Sequence, residues 1–121
     1  MYKKKSIAAI ILARRCSSRL KDKMFLPFGN STVVETVIER IKHSDLIDTF
    51  VLATSTNPND STFKAIAARN KLSLFRGSEN DVVSRMLFAA NELQPLPDII
   101  VRVCSDNPLL MQTIIDEAIK I

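Results

Sequence analysis

Four short apolar runs alternating with four amphipathic segments predict an α/β fold, a three-layer domain with helices on both sides of a parallel sheet. Three observations carry that expectation. The first run, Ile7–Leu12, is apolar at every position, as a central strand covered on both faces must be. Strand-like and helix-like stretches then alternate four times, an order that right-handed crossovers convert into parallel strands of one sheet. The length of 121 residues suffices for a single domain, residues 1–121, burying roughly two thirds of its unfolded surface.

The first strand, Ile7–Leu12, follows Lys3-Lys4-Lys5, a run that reads as a solvated flank. A helix is expected from about Thr32 to His43, because Val34, Val37, Ile38 and Ile41 recur at helical spacing and Thr32 with Glu35 forms a capping box. Lys42 and His43 place favourable charge at its C-terminal end. Thr49–Thr54 is the second strand. Asn57-Pro58 then reads as an N-cap and a first-turn proline, opening a helix to about Lys71 that buries Phe63, Ile66 and Ala67. Leu72–Phe75 is a short third strand. The next helix, from about Asn80 to Leu93, carries Val82, Val83, Met86, Leu87 and Ala90 as its apolar stripe and is broken by Gln94–Pro97. Ile99–Val103 is the fourth strand, and Pro108 leads into a last helix through Ile114, Ile115 and Ala118.

Composition narrows the function classes. With 46% hydrophobic and 25% charged residues, the chain is an ordinary soluble globular protein. The balance of 17 basic against 13 acidic residues, a net +4, suits an anionic ligand and is too mild to imply nucleic acid. No apolar stretch approaches the ~20 residues that span a bilayer, and Ile7–Leu12 is too short for a signal peptide. A cytoplasmic protein with no membrane partner is expected. Cys16 and Cys104 make no disulfide framework and no zinc pattern, so they read as reduced thiols.

In open parallel sheets, ligands collect at the carboxyl ends of the strands, near the point where strand order reverses. The segments there are Ala13–Lys23, Thr54–Asn57, Arg76–Ser78 and Ser105–Pro108, and all four carry small polar or charged groups. Ala13–Lys23 reads A-R-R-C-S-S-R-L-K-D-K. It is neither a Walker A loop nor a G-x-G-x-x-G fingerprint, since the whole chain has only Gly29 and Gly77. A phosphate site here would rest on backbone N–H groups around Cys16–Ser18, with Arg14, Arg19 and Lys23 supplying charge. Alone, such a loop reads equally well as a solvated surface.

Asp106 alters that balance. If the fourth strand neighbours the first, Asp106 faces the basic loop, and one Asp beside a phosphate cradle is how Mg²⁺ is usually held. Its other reading is a turn or N-cap residue before Asn107-Pro108. Ser78 and Asp81 read as a capping pair with Gly77 as a turn; alternatively Gly77 admits a base or ribose beside Arg76. Thr54 and Ser55 are either base-binding or ordinary turn hydroxyls. No nucleophile–base pair is visible, and His43, the only histidine, is expected at the surface.

Five blocks occur in order: A-R-x-x-S-S-R-L-x-x-K, V-I-E-R, A-T-S-T-N-P, F-R-G-S-E-N-D-V and R-V-x-x-D-N-P-L. Together they resemble the cytidylyltransferase family of cell-surface sugar activation. The most similar branch is the spore coat polysaccharide biosynthesis protein F type, related to the 3-deoxy-manno-octulosonate and acylneuraminate cytidylyltransferases. The resemblance covers residues 6–121. It implies a Rossmann-like nucleotidyltransferase domain, in which a sugar oxygen attacks the α-phosphate of CTP and Mg²⁺ helps pyrophosphate leave. Carried over by position, Arg14, Arg19 and Lys23 would bind the triphosphate, with Ala13, Ser17 and Ser18 forming the loop. Thr54, Ser55, Arg76, Gly77 and Ser78 would surround base and ribose, and Asp106 would be the metal ligand. Such chemistry works by positioning and charge neutralisation, so it needs no catalytic histidine.

Cys16 replaces the first glycine of the family loop, Lys21-Asp22 replace its Pro-Gly, and Met111-Gln112 stands where Asp-Pro often opens the last helix. Family members usually run to about twice this length, so the fold is expected to be truncated to the N-terminal half. The other half would carry most of the sugar pocket, a second metal-binding acidic residue and the dimer arm. The expected function is therefore a sugar-activating cytidylyltransferase, or its nucleotide-binding half, with CTP, a sugar and Mg²⁺ as partners and cofactor. Two rivals remain at this stage. One is a related sugar-nucleotide or glycosyltransferase-like enzyme. The other is a non-catalytic nucleotide-binding or assembly module, for which an uncovered sheet edge would favour a homo-oligomer.

Overall fold

An unbroken run of six apolar residues can be a strand only if both of its faces are covered, and Ile7–Leu12 (β1) is buried along its whole length. The computed structural model describes residues 3–13, 27–28, 31–93, 96–104 and 119. Within it follow β2 (Pro27–Phe28), β3 (Ser31–Thr32), α1 (Val33–Ile41), β4 (Thr49–Ser55), a 3₁₀ turn (Pro58–Thr62), α2 (Phe63–Arg69), β5 (Ser73–Gly77), α3 (Val82–Asn91) and β6 (Ile99–Cys104). Four of the strands form one parallel sheet in the order β5-β4-β1-β6. The chain steps outward from β1 to β4 to β5, then crosses back to lay β6 on the free side of β1.

Helices cover both faces, which makes the three layers. On one face, Ile7, Ala9, Ile11, Ala13, Leu52 and Val103 meet Val34, Val37, Ile38 and Ile41 of α1 and Phe63, Ile66 and Ala67 of α2. On the other, Ile10, Leu12, Val51 and Ala53 pack against Ala89, with Val82, Met86 and Leu93 partly buried around them. Most of the large, fully buried side chains lie on the first face, each contributing about 1.5–3 kcal/mol. That face dominates the stability of the fold.

At the amino edge two aspartates pin β1 to its neighbours. The Ile7 amide donates to Asp48 just before β4, at 2.8 Å, and the Ser6 amide donates to Asp98 just before β6, also at 2.8 Å. Lys3, Lys4 and Lys5 are exposed, as expected of a flank. Among the described residues, no helix is long and apolar enough to cross a membrane.

Several expected boundaries move, each for a local reason. Thr32 caps α1 by accepting from the Glu35 amide at 3.4 Å, but the Glu35 carboxylate is bound to Arg69 of α2. Asn57-Pro58 opens a 3₁₀ turn rather than an α-helix; Asn57 accepts from the Asn59 amide at 2.9 Å. The helix that follows stops at Arg69. Lys71 adopts a left-handed φ of 57°, while the Leu72 amide reaches the Ala67 carbonyl at 2.9 Å and the Lys71 amide reaches Ala68 at 3.3 Å. This is a Schellman stop made without glycine.

In α3 the buried stripe is Arg85, Ala89 and Ala90, with Val82 and Met86 beside it, whereas Val83 and Leu87 are exposed. The helix is rotated from the expected stripe because Arg85 turns inward to bond the carbonyls that precede it. The short antiparallel pair β2–β3, joining Phe28 to Ser31, is an addition to the expected elements. Gly29-Asn30 was its sequence signal, a dipeptide of hairpin type between two short extended pairs. The last helix expected from Pro108 lies outside the described residues.

Candidate functional site at the carboxyl edge of the sheet

The strand order reverses between β1 and β6, so this is where the fold offers a crevice. The two strands pair in parallel along their full length, ending with Leu12 opposite Cys104. The expectation that the first and last strands are neighbours therefore holds. The chain enters the basic segment two residues after Leu12 and reaches Asp106 two residues after Cys104, from adjacent points of one edge. Arg14, Ser17, Ser18, Arg19, Lys23 and Asp106 themselves lie outside the described residues.

Ala13 is described, and it belongs to the fold. Its side chain is buried against α1, and its amide donates to the Ala53 carbonyl at 3.1 Å, extending the ladder one residue past β1.

Next to Ala13 come the ends of β4 and β5, longer than sequence spacing predicts. Thr54 pairs with Arg76 and Ser55 with Gly77, and the Thr56 amide adds a further bond to the Gly77 carbonyl at 3.1 Å. Residues expected in loops are thus the last residues of strands. An Arg-Gly pair has poor strand propensity, and here the partner strand decides.

Thr54 is completely buried, and its hydroxyl finds no hydrogen-bond partner among the described residues. Ser55, also completely buried, differs. Its hydroxyl donates to the Asp60 carboxylate and accepts from the Asn57 amide at 3.1 Å. Through these two bonds Ser55 shapes the loop from inside.

Arg76 is half-buried and clamps the same loop. Its Nε donates to the Ser55 carbonyl and its Nη2 to the Asn57 carbonyl, both at 2.8 Å. Gly77 leaves no room for a side chain, since a Cβ would lie 2.7 Å from Cε1 of Phe75 and 3.4 Å from Cγ of Arg85. Ser78 is exposed. Its hydroxyl accepts from the Asp81 amide at 3.1 Å and its carbonyl accepts from Arg85 Nη1 at 3.1 Å. Asp81 in turn caps α3 by accepting from the Ser84 amide at 3.0 Å, so the expected capping pair is present.

Four residues here escaped sequence reasoning as site builders. Asn57 donates from Nδ2 to Glu79 at 3.0 Å, tying the β4 exit to the β5 exit. Asp60 is buried beneath Ser55, and Arg85 is buried beneath the β5 exit. The spacing Asn57-Pro58-Asn59-Asp60, a capping residue followed three positions on by an acid, was the available signal for Asp60. The described charges in this part of the edge show no positive excess, with Arg76 and Arg85 against Asp60, Glu79 and Asp81. Attraction for an anion therefore falls to the basic segment after β1.

A second concavity lies on the outer surface between α1 and α2, lined by Glu35, Glu39, Lys42, His43, Arg69, Asn70 and Lys71. None of these residues belongs to a strand end. His43 is exposed within it, as expected.

Comparison with known proteins agrees with this arrangement. A family described as cytidylyltransferase matches residues 8–121. The spore coat polysaccharide biosynthesis protein SpsF of Bacillus subtilis is 30% identical over 118 residues, covering 94% of this chain and 48% of its own length. A 3-deoxy-manno-octulosonate cytidylyltransferase of Geotalea daltonii is 31% identical over 114 residues, covering 94% of this chain and 44% of its own. Among solved structures, a cytidylyltransferase from Leptospira borgpetersenii superposes with a TM-score of 0.87 at 37% identity, over 96% of this chain and 48% of that one. The order reversal beside a basic segment and the sequence match point the same way: the chain belongs to the cytidylyltransferase family and spans about half the length of the curated relatives it matches.

Proposed function

We propose that this chain forms the nucleotide-binding half of an enzyme that transfers CMP from CTP to a sugar. A sugar oxygen attacks the α-phosphate, the CMP-sugar forms and pyrophosphate leaves. The in-register pairing of Leu12 with Cys104 supports the reading most directly, because it roots the cationic segment and the Asp106 segment at adjacent points of one edge. Arg14, Arg19 and Lys23 then grip the triphosphate, with backbone donors around Ser17 and Ser18. Thr54, Arg76, Gly77 and Ser78 form the wall toward base and ribose, on the β4–β5 side.

Mg²⁺ suits this donor set. The ion keeps much of its water and needs only one or two protein carboxylates beside substrate phosphates, a demand that Asp106 meets. When bound, it neutralises charge on the departing pyrophosphate. A keto-sugar acid such as 3-deoxy-manno-octulosonate is the first acceptor to test, given the relatives' names, and the cytoplasm is the expected setting.

Calorimetry with CTP and Mg²⁺ tests the assignment. Each of Arg19→Ala and Lys23→Ala removes a charge-assisted contact, so affinity should fall about tenfold with the melting temperature unchanged. Unchanged affinity in both variants would remove the phosphate-loop assignment. Pyrophosphate release from CTP and a keto-sugar acid tests the complete reaction.

A further inference from the structure

The geometry points to Asp60 as a positioning residue that sets nucleobase selectivity without touching the nucleotide. This inference rests on the cytidylyltransferase reading above and goes beyond it. Asp60, in the 3₁₀ turn, and Ser55, the last residue of β4, are 1% and 0% exposed and hydrogen-bonded to each other. A carboxylate placed there carries a desolvation penalty that a simple apolar packing would avoid, so it is poor material for stability alone. What it supplies is direction.

The Ser55 hydroxyl donates to the Asp60 carboxyl oxygen, which leaves its own lone pairs to accept. Those lone pairs receive the Asn57 amide at 3.1 Å. The Asn57 backbone is thereby fixed, and its carbonyl takes both the Asp60 amide at 2.9 Å and Arg76 Nη2 at 2.8 Å. Its side-chain amide reaches across to Glu79 at 3.0 Å. A chain of bonds thus links buried Asp60 through Ser55 to Asn57, which donates both to Ser55 and across to Glu79, and it helps to fix the β4 exit against the β5 exit. With the triphosphate over β1 and β6, these exits lie on the nucleoside side. Asp60 therefore governs which base is accepted, while the phosphate grip is independent of it.

The test compares Asp60→Asn with the unaltered chain. An amide of the same size both accepts and donates, so the Ser55 hydroxyl is no longer held to donating there and accepting from Asn57. Binding of CTP, UTP and inorganic tripolyphosphate is measured by calorimetry with Mg²⁺. The expected result is a CTP affinity lowered about tenfold, a CTP-to-UTP ratio that collapses toward one, and tripolyphosphate affinity unchanged. Glu79→Gln, at the far end of the chain, should lower the same ratio in the same direction and keeps the question open to refutation if Asp60→Asn fails to fold. A full CTP-to-UTP ratio in the variants, or an equal loss for CTP and tripolyphosphate, overturns the inference. Failure of the unaltered chain to bind either CTP or tripolyphosphate overturns the functional reading instead, so the two failures are distinguishable.

Discussion

Thr54→Val separates the needs of the fold from those of the ligand at a single atom. Thr54 is fully buried and its Oγ1 has no hydrogen-bond partner among the described residues. A buried hydroxyl left unsatisfied carries a desolvation cost of about 1–3 kcal/mol. Valine has nearly the same shape and replaces that oxygen with a methyl group, so the site needs no repacking. The variant should be more stable by about 1–2 kcal/mol. For a chain of this length that corresponds to a rise in melting temperature of about 4–8 °C. Calorimetric melts and urea titrations read it, with an unchanged m-value showing that the unfolded state is not the cause. CTP affinity is measured on the same samples and should fall, since native structures keep few orphan hydroxyls and those they keep call for an explanation. A Thr54→Val chain that is less stable by about 1 kcal/mol would refute the first step, because the hydroxyl would then have been satisfied. A more stable chain with undiminished CTP affinity would refute the second.

Two further substitutions test local geometry. Lys71→Gly relieves the left-handed φ of 57° at the α2 stop and should raise stability by about 0.5–1 kcal/mol in urea titration; a loss would mean that the Lys71 side chain contributes more than its backbone strain costs. Gly77→Ala brings a Cβ within 2.7 Å of Phe75 Cε1 and should lower stability by about 1–2 kcal/mol, with a neutral result showing that the ring moves aside freely.

The sheet was legible because its signals are local. Ile7–Leu12 had no polar residue to place at a surface, and Val34, Val37, Ile38 and Ile41 could share a face only on a helix. Strand ends were less legible, since Arg76 and Gly77 join β5 through pairing with Thr54 and Ser55, and pairing is a property of two segments. The rotation of α3 was hidden for a similar reason: Arg85 turns inward toward carbonyls that a helical wheel does not contain. At the site, sequence showed which residues are polar but not which neighbours they bond. Ser55 looked available and is committed to Asp60, whereas Asn57 looked like a cap and also bridges to Glu79.

These placements divide the carboxyl edge into two parts with different physics. Beyond Leu12 and Cys104 the chain brings several cations and the carboxylates of Asp22 and Asp106, groups whose attraction acts over several ångströms. On the β4–β5 side Arg76 and Arg85 stand against Asp60, Glu79 and Asp81, and hydrogen bonds of 2.8–3.4 Å hold backbone and side chains in one arrangement. Hydrogen bonds discriminate by geometry, and net charge does not. A nucleotide site needs both properties, because every nucleoside triphosphate presents the same phosphates and only the base distinguishes them. On the proposed reading the hydrogen-bonded β4–β5 side is where selectivity belongs, and the buried Asp60 beneath it fits an arrangement that gives up some stability for a fixed wall.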